Sequence, residues 1–342
     1  MPFDPFELVS VGRAGLRTTR LGLGGASIAG LYDAVAEADA VALVRHAWSI
    51  GIRSFDVAPL YGYGAAERRV GLALAGCDRA AFVISTKVGR LVREPDAVRD
   101  GEELDEQRPG QGGDGLYPGA GDRRVVFDYS FDGVMCSVEE SLDRLGLDHV
   151  DIAYVHDAEH HLAEAIDGAY PALQRLREQG VVRSIGAGMV RCAPLARLVR
   201  ETDMDVVMIA GRYTLLDQEA AQELLPLCHE RGVSVMVAGV MNSGVLADPD
   251  AAPRLDYAPA PRDVVERAAR LAAACHRHGV TLRTAAIQFP LAHPAVTGLI
   301  AGVRTAAHLD EYPAVMRAIV PPELWDELRS EGLISDLVPT PG

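Results

Sequence analysis

Short apolar runs alternate along the chain with longer stretches in which apolar positions recur every three to four residues, and this rhythm persists from residue 20 to residue 302. The short runs have the length and continuous hydrophobicity of buried parallel strands, and the longer stretches have the single apolar face of packed helices. The pattern predicts strands at 20–25, 52–56, 82–87, 150–155, 181–187, 205–210, 233–238 and 296–302. Between them it predicts helices at 34–51, 65–76, 132–145, 162–179, 193–200, 218–231, 262–278 and 281–292. Eight strand-helix units in steady alternation, with no halfway break, favour a closed (β/α)8 TIM barrel over an open doubly wound sheet. Two apolar pieces around GRAG, within 7–17, predict a hairpin ahead of the barrel, and 322–332 predicts a helix beyond it that could cover it. The chain, 1–342, is read as one domain.

The rhythm stalls once, at 88–130, which is polar and rich in Gly and Pro. A loop of that length after a third strand is either a functional lid or disordered, and composition does not choose between them. Its acids, Glu94, Asp96, Asp100, Glu102, Glu103, Asp105 and Glu106, read as a solvated flap. Tyr117, Tyr129 and Phe131 read as packing, or as rings that close over a substrate.

Charge narrows the class. With 48 acidic against 33 basic residues the formal net charge is −15, which disfavours nucleic acid or an anionic membrane as partner. No apolar run approaches the ~18 residues of a membrane span, and the N-terminal stretch lacks a signal-peptide core. Five scattered cysteines without CxxC spacing read as reduced thiols in a cytoplasm. A cytoplasmic protein with a small-molecule partner is expected, its oligomeric state open.

Three apolar runs end in titratable side chains: Asp56, Lys87 and His156, with Tyr61 in a Gly-rich turn just after the first. Parallel strands bring such ends to one face. Taken singly, each has a plain structural use as a cap, a loop contact or a surface charge. Together they are a proton-transfer set. A free phenol titrates near 10, too high for a base at neutral pH, and a neighbouring ammonium would favour its ionised form while Asp56 holds that ammonium in place. The histidines of HDAEHH (156–161) invite a metal reading, but His156 belongs to the set and the rest read as solvated, so no metal is expected.

The stretches FDVAPLYGYGAAE, ISTKVGR and DIAYVHD resemble the aldo-keto reductase family, (β/α)8 oxidoreductases that use NAD or NADP, and the resemblance spans roughly 8–335. The longer strings YPALQRLREQGVVRSIGAGM, AGRYTLLDQ and AAIQFPLAHPAV are similar to its branch containing L-fucose dehydrogenase, or D-threo-aldose 1-dehydrogenase, and pyridoxal 4-dehydrogenase. The resemblance implies that Tyr61 transfers the proton, that Lys87 and Asp56 tune it, and that His156 orients the reacting oxygen. It implies oxidation of the anomeric hydroxyl of an aldopyranose of the L-fucose, D-arabinose or L-galactose type to the lactone, with hydride passing to nicotinamide C4. Pyridoxal oxidation and small-aldehyde reduction are the alternatives within the class, and a nucleotide-sensing regulatory subunit is the alternative outside it.

The resemblance also implies cofactor contacts. Gly25 and Ala26 would flank the nicotinamide, and Gly188 and Met189 stand where the wider family carries Ser-Asn. Asn242, Ser243 and Gly244 would offer backbone amides to the pyrophosphate. Gly302, Arg304 and His308 would face the adenosine end, where Arg304 alone is a thin clamp for a 2′-phosphate, so NAD is favoured over NADP. Tyr32 is expected to line the substrate pocket.

Overall fold

The computed structural model describes residues 2–342 apart from 14, 106–115, 250, 252–253 and 257. Eight strands close into a parallel barrel: β1 (Leu21–Gly24), β2 (Ser54–Asp56), β3 (Val83–Val88), β4 (Val150–His156), β5 (Val182–Met189), β6 (Val206–Ala210), β7 (Ser234–Ala238) and β8 (Val296–Ala301). Each pairs with its neighbours in sequence, and β8 pairs with β1 to complete the ring.

Alternation sets which side chains enter the barrel. On β3, Ile84 and Val88 pack outward under the helices while Val83 enters the interior, and on β4 Ala153 and Val155 face outward while Ile152 and Tyr154 enter. Asp56, Ser85, Lys87 and His156 share the inward parity. The N-terminal hairpin (Leu8–Val11 with Leu16–Thr19) closes the end where the strands begin, its Val11 and Leu16 packing on Val83, Ile152 and Val206. The Gly12 amide there donates to Ser234 Oγ at 2.9 Å, at φ +64°, where a β-carbon would lie 2.7 Å from Asp205 Cβ.

Several boundaries differ from those read in the sequence. The helix expected at 34–51 runs Glu37–Ser49, and that at 218–231 begins with a separate tight turn, Glu219–Ala221, before Leu224–Arg231. The segment 162–179 is continuous but widens into a π turn at Ala165–Ala169, and 281–292 leaves α-helix after Gln288, next to Pro290. The helix Ala306–Arg317, capped by Thr305 Oγ1 at the His308 amide, was not anticipated because Pro313 interrupts its period. The helix Pro322–Ser330 packs on the outer layer of the barrel. Leu324, Trp325 and Leu328 are buried in the outer layer, with Glu327 bonded to Arg277 and His278 at the end of the helix Arg262–Arg277.

The long loop after β3 is partly built. Arg90–Arg93 pairs antiparallel with Arg124–Phe127, and Leu104 bridges to Val126. The flap reading fails for Asp105, whose carboxylate is buried against Arg90, while Glu106 and the rest of 106–115 lie outside the described residues. Strands of four residues carry too little periodicity to stand out in a polar stretch. Among the described residues no helix is long and apolar enough to cross a membrane.

Candidate active site

The end of the barrel opposite the hairpin gathers the four side chains. Lys87 Nζ lies 2.7 and 2.9 Å from the two Asp56 carboxylate oxygens and donates to the Val57 carbonyl at 2.9 Å. Ser85 Oγ donates to Asp56 Oδ1 at 2.7 Å. Neither side chain of the ion pair is more than 4% exposed, so removing one partner would strand the other's charge in a medium that solvates it poorly. The ammonium sits 4.6 Å from the centroid of the Tyr61 ring, and the His156 ring stands edge-on to Tyr61 at 5.8 Å. Tyr154 lies deeper in the barrel; burial, with the Asp56 charge adding to it, pushes its phenol well above the usual range, so it remains protonated.

Two buried networks hold these groups. Glu67, on the helix Ala65–Leu74 just after the Tyr61 turn, accepts Thr86 Oγ1 at 2.6 Å and Arg144 Nε at 2.6 Å, fastening that helix to the strand that carries Lys87. Behind His156, the Tyr129 hydroxyl donates to the His156 carbonyl at 2.6 Å and Arg90 Nη1 donates to the same oxygen at 2.9 Å. Glu67, Arg90 and Asp105 were missed because a buried charge in a polar stretch has the same sequence signature as a solvated one. Tyr129 is therefore a brace, and Tyr117 packs between Tyr61 and Tyr63 with centroids 6.4 and 6.2 Å away. Phe131 is 42% exposed.

The remaining candidates gather less evenly. Gly25 is closely packed, since a β-carbon there would lie 2.9 Å from the Asp56 carbonyl, and half-buried Ala26 follows it. Gly302, just after β8, faces the turn after β1, where a β-carbon would stand 3.3 Å from Ser27 Oγ. Gly188 has the inward parity: a β-carbon there would lie 3.9 Å from Lys87 Cε with nothing closer than 3.6 Å. A β-carbon at Gly188 would thus sit in ordinary van der Waals contact with Met208, Lys87 and Tyr154. Met189 has the opposite parity and is buried in the outer core, so its side chain does not face the site. In the turn after β7, the Asn242 and Gly244 amides already donate to Gly239 O and Met241 O at 2.9 and 3.0 Å, which removes two of the three expected pyrophosphate donors. Buried Asn242 donates Nδ2 to Gly211 O at 3.1 Å, and its Oδ1 is buried without a hydrogen-bond partner among the described residues. Tyr32, at φ +71°, lies with its ring 5.2 Å from the Arg254 guanidinium, so the loop after β7 reaches the loop after β1. Arg304 is not an open clamp: its guanidinium is paired with Asp33 and donates to Leu31 O at 2.6 Å. His308 is exposed in the first turn of its helix.

Of the HDAEHH histidines, His161 stacks on Tyr129 at 5.2 Å, and among the described residues no three His, Cys, Asp or Glu side chains converge as metal ligands would.

An eight-stranded parallel barrel with an acid, a lysine, a phenol and an imidazole at its C-terminal end defines a class of sites, and the chain belongs to the aldo/keto reductase family, whose model matches residues 20–330. It is 42% identical to pyridoxal 4-dehydrogenase of Microbacterium luteolum over 340 residues, covering 96% of this chain and 98% of that one. It is 40% identical to D-threo-aldose 1-dehydrogenase of a Pseudomonas species over 331 residues, covering 96% and 97%. In fold it is similar to the holo form of an aldo-keto reductase from Bacillus halodurans, with a TM-score of 0.73 at 23% identity over 96% of this chain and 97% of that one. The protein is thus an oxidoreductase of this family.

Proposed function

We propose that this enzyme oxidises the anomeric hydroxyl of an aldopyranose of the L-fucose, D-arabinose or L-galactose type to its aldonolactone, with NAD preferred to NADP. The observation that carries the reading is Lys87, bound to Asp56 on one side and 4.6 Å from the Tyr61 ring centroid on the other, with His156 edge-on to the same ring. The bound nicotinamide would supply the hydride acceptor, and Gly188, which adds no side chain beside Lys87, is one of the residues that would border it. Tyr61 takes the hydroxyl proton, its negative charge stabilised by the Lys87 ammonium. Asp56 holds that ammonium, and His156 donates to the reacting oxygen. The 40% identity to a D-threo-aldose 1-dehydrogenase supports the sugar as substrate.

The preference for NAD is supported by Arg304. A 2′-phosphate would have to displace Asp33 to reach its guanidinium. Five free cysteines support a reducing, cytoplasmic setting.

Oxidation of pyridoxal is the second reading, favoured by the 42% identity to a pyridoxal 4-dehydrogenase, and it is the same hemiacetal-to-lactone chemistry. The test is NADH or NADPH formation followed at 340 nm with a panel of aldopyranoses and pyridoxal, each with NAD and NADP. Turnover of an aldopyranose with NAD is expected. Turnover of pyridoxal alone would move the substrate to the second reading, and no turnover on any member would end both.

A further inference from the structure

Residue 157 directly follows the strand that ends in His156, and its φ of +43° puts a non-glycine residue in the left-handed region. Asp tolerates that region better than most residues, but such a conformation persists only where its surroundings hold it. Here the Asp157 amide donates to the Gly188 carbonyl on β5 at 2.9 Å, and its side chain lies between two cationic or protonatable groups. Asp157 Oδ2 is 3.7 Å from His156 Nε2 and 3.4 Å from Arg90 Nη1.

Arg90 is itself fixed in place. Its side chain is 5% exposed, Nε donates to Asp105 Oδ2 at 2.9 Å, and Nη1 donates to the His156 carbonyl at 2.9 Å. One buried guanidinium therefore grips both the backbone of residue 156 and the carboxylate of residue 157. A second acid, Glu159, faces the same cluster: burial, and then the Asp157 charge, push its carboxyl up, while it accepts the Val190 amide at 3.3 Å. Among these acids Asp157 is the one within 4 Å of the imidazole.

We propose that Asp157, clamped by Arg90, is a positioning residue for His156, holding the ring edge-on to Tyr61 and favouring the tautomer with its proton on Nε2. This rests on the reading above that His156 donates to the reacting oxygen. A carboxylate beyond hydrogen-bond length still favours a proton on the facing nitrogen by Coulomb attraction, more so with little water between them. The strained backbone is then what keeps the carboxylate on the imidazole side.

The test uses Asp157→Asn and Asp157→Gly, the second relieving the left-handed strain so that the fold is retained without the carboxylate. Each is made alone and in a His156→Gln background. With the sugar that the parent enzyme turns over, kcat should fall about tenfold in either single variant while the NADH dissociation constant stays within about twofold. In the His156→Gln background the same changes should cost no further activity, because a residue acting through His156 has nothing left to act on. Imidazole 15N shifts of His156, read on the protein without substrate, should show a loss of the Nε2-protonated tautomer. Losses that multiply in the double variants, or an unchanged tautomer ratio, would overturn the proposal. A raised KM with kcat intact would overturn it in favour of a direct substrate contact. The 15N measurement needs no turnover, so it separates failure here from failure of the proposed activity, which would appear as an inactive parent.

Discussion

The two ends of the barrel are made by the same eight strands and hold opposite chemistry. Where the strands begin, Val83, Ile152 and Val206 meet Val11 and Leu16 of the hairpin in an apolar seal. Where they end, the inward positions are Asp56, Lys87 and His156, and Gly188 puts no side chain beside Lys87. The change is made within a few residues of one parity, through Val83, Ser85 and Lys87 on β3, and Ile152, Tyr154 and His156 on β4. An end that buries apolar surface contributes stability and asks nothing of geometry beyond packing. The opposite end keeps buried charges that are tolerable only while each has its partner. Stability should therefore be concentrated at one end and activity at the other, and this division can be tested.

The largest effects are expected at the charged end. Lys87→Met should abolish measurable turnover and also destabilise the fold by about 3–5 kcal/mol, because Asp56 is left buried without its cation. Tyr61→Phe should lower kcat by roughly 10²–10⁴ while cofactor fluorescence quenching and the melting temperature are retained. Near-native turnover in Tyr61→Phe would remove the phenol from its role. At the sealed end the pattern should invert. Leu16→Ala should cost about 2–5 kcal/mol in urea unfolding with kcat/KM at 25 °C within about twofold of the parent. If its activity fell as steeply as its stability, the two ends would not be separable.

A smaller effect is expected in acid. His293, in the loop leading into β8, accepts the Ala295 amide on Nδ1 at 3.1 Å, and burial, with His229 adding to it, lowers its pKa to about 4. The folded value lies below the ordinary 6.5, so the unfolded chain takes up the proton first, and the stability present above pH 6.5 is lost as pH falls toward about 4. With allowance for partial solvent screening, urea unfolding should show a loss of about 1–2 kcal/mol across that window, reduced in His293→Gln. The smallest effect concerns the cofactor tail. Asp33→Asn, which frees the Arg304 guanidinium, should raise kcat/KM for NADP relative to NAD by roughly two- to fivefold, an exposed pair being worth little more. An unchanged ratio would remove Arg304 and Asp33 from cofactor choice.

Much of this was legible in the chain. The eight-unit alternation and the titratable ends of three apolar runs are local patterns, and they carried the barrel and the convergence of Asp56, Tyr61, Lys87 and His156. The direction of the Met189 side chain was not legible, because one residue of parity decides whether a strand side chain meets the interior or the helices, and that parity is set by register. The Asn242 and Gly244 amides were misjudged because availability depends on which carbonyls the turn brings near. Arg304 was visible as a charge, but its partner Asp33 lies 271 residues away.

The amino-acid order by itself determined the period of each element and hence which residues end each strand, since periodicity depends only on neighbours along the chain. Tertiary structure decided which charges are buried and what each one holds. Arg90 grips the carbonyl of His156 across 66 residues, and Glu67 reaches Arg144 across 77. Such pairings are selected by the folded geometry, because a charge leaves water only where the fold supplies its counterpart.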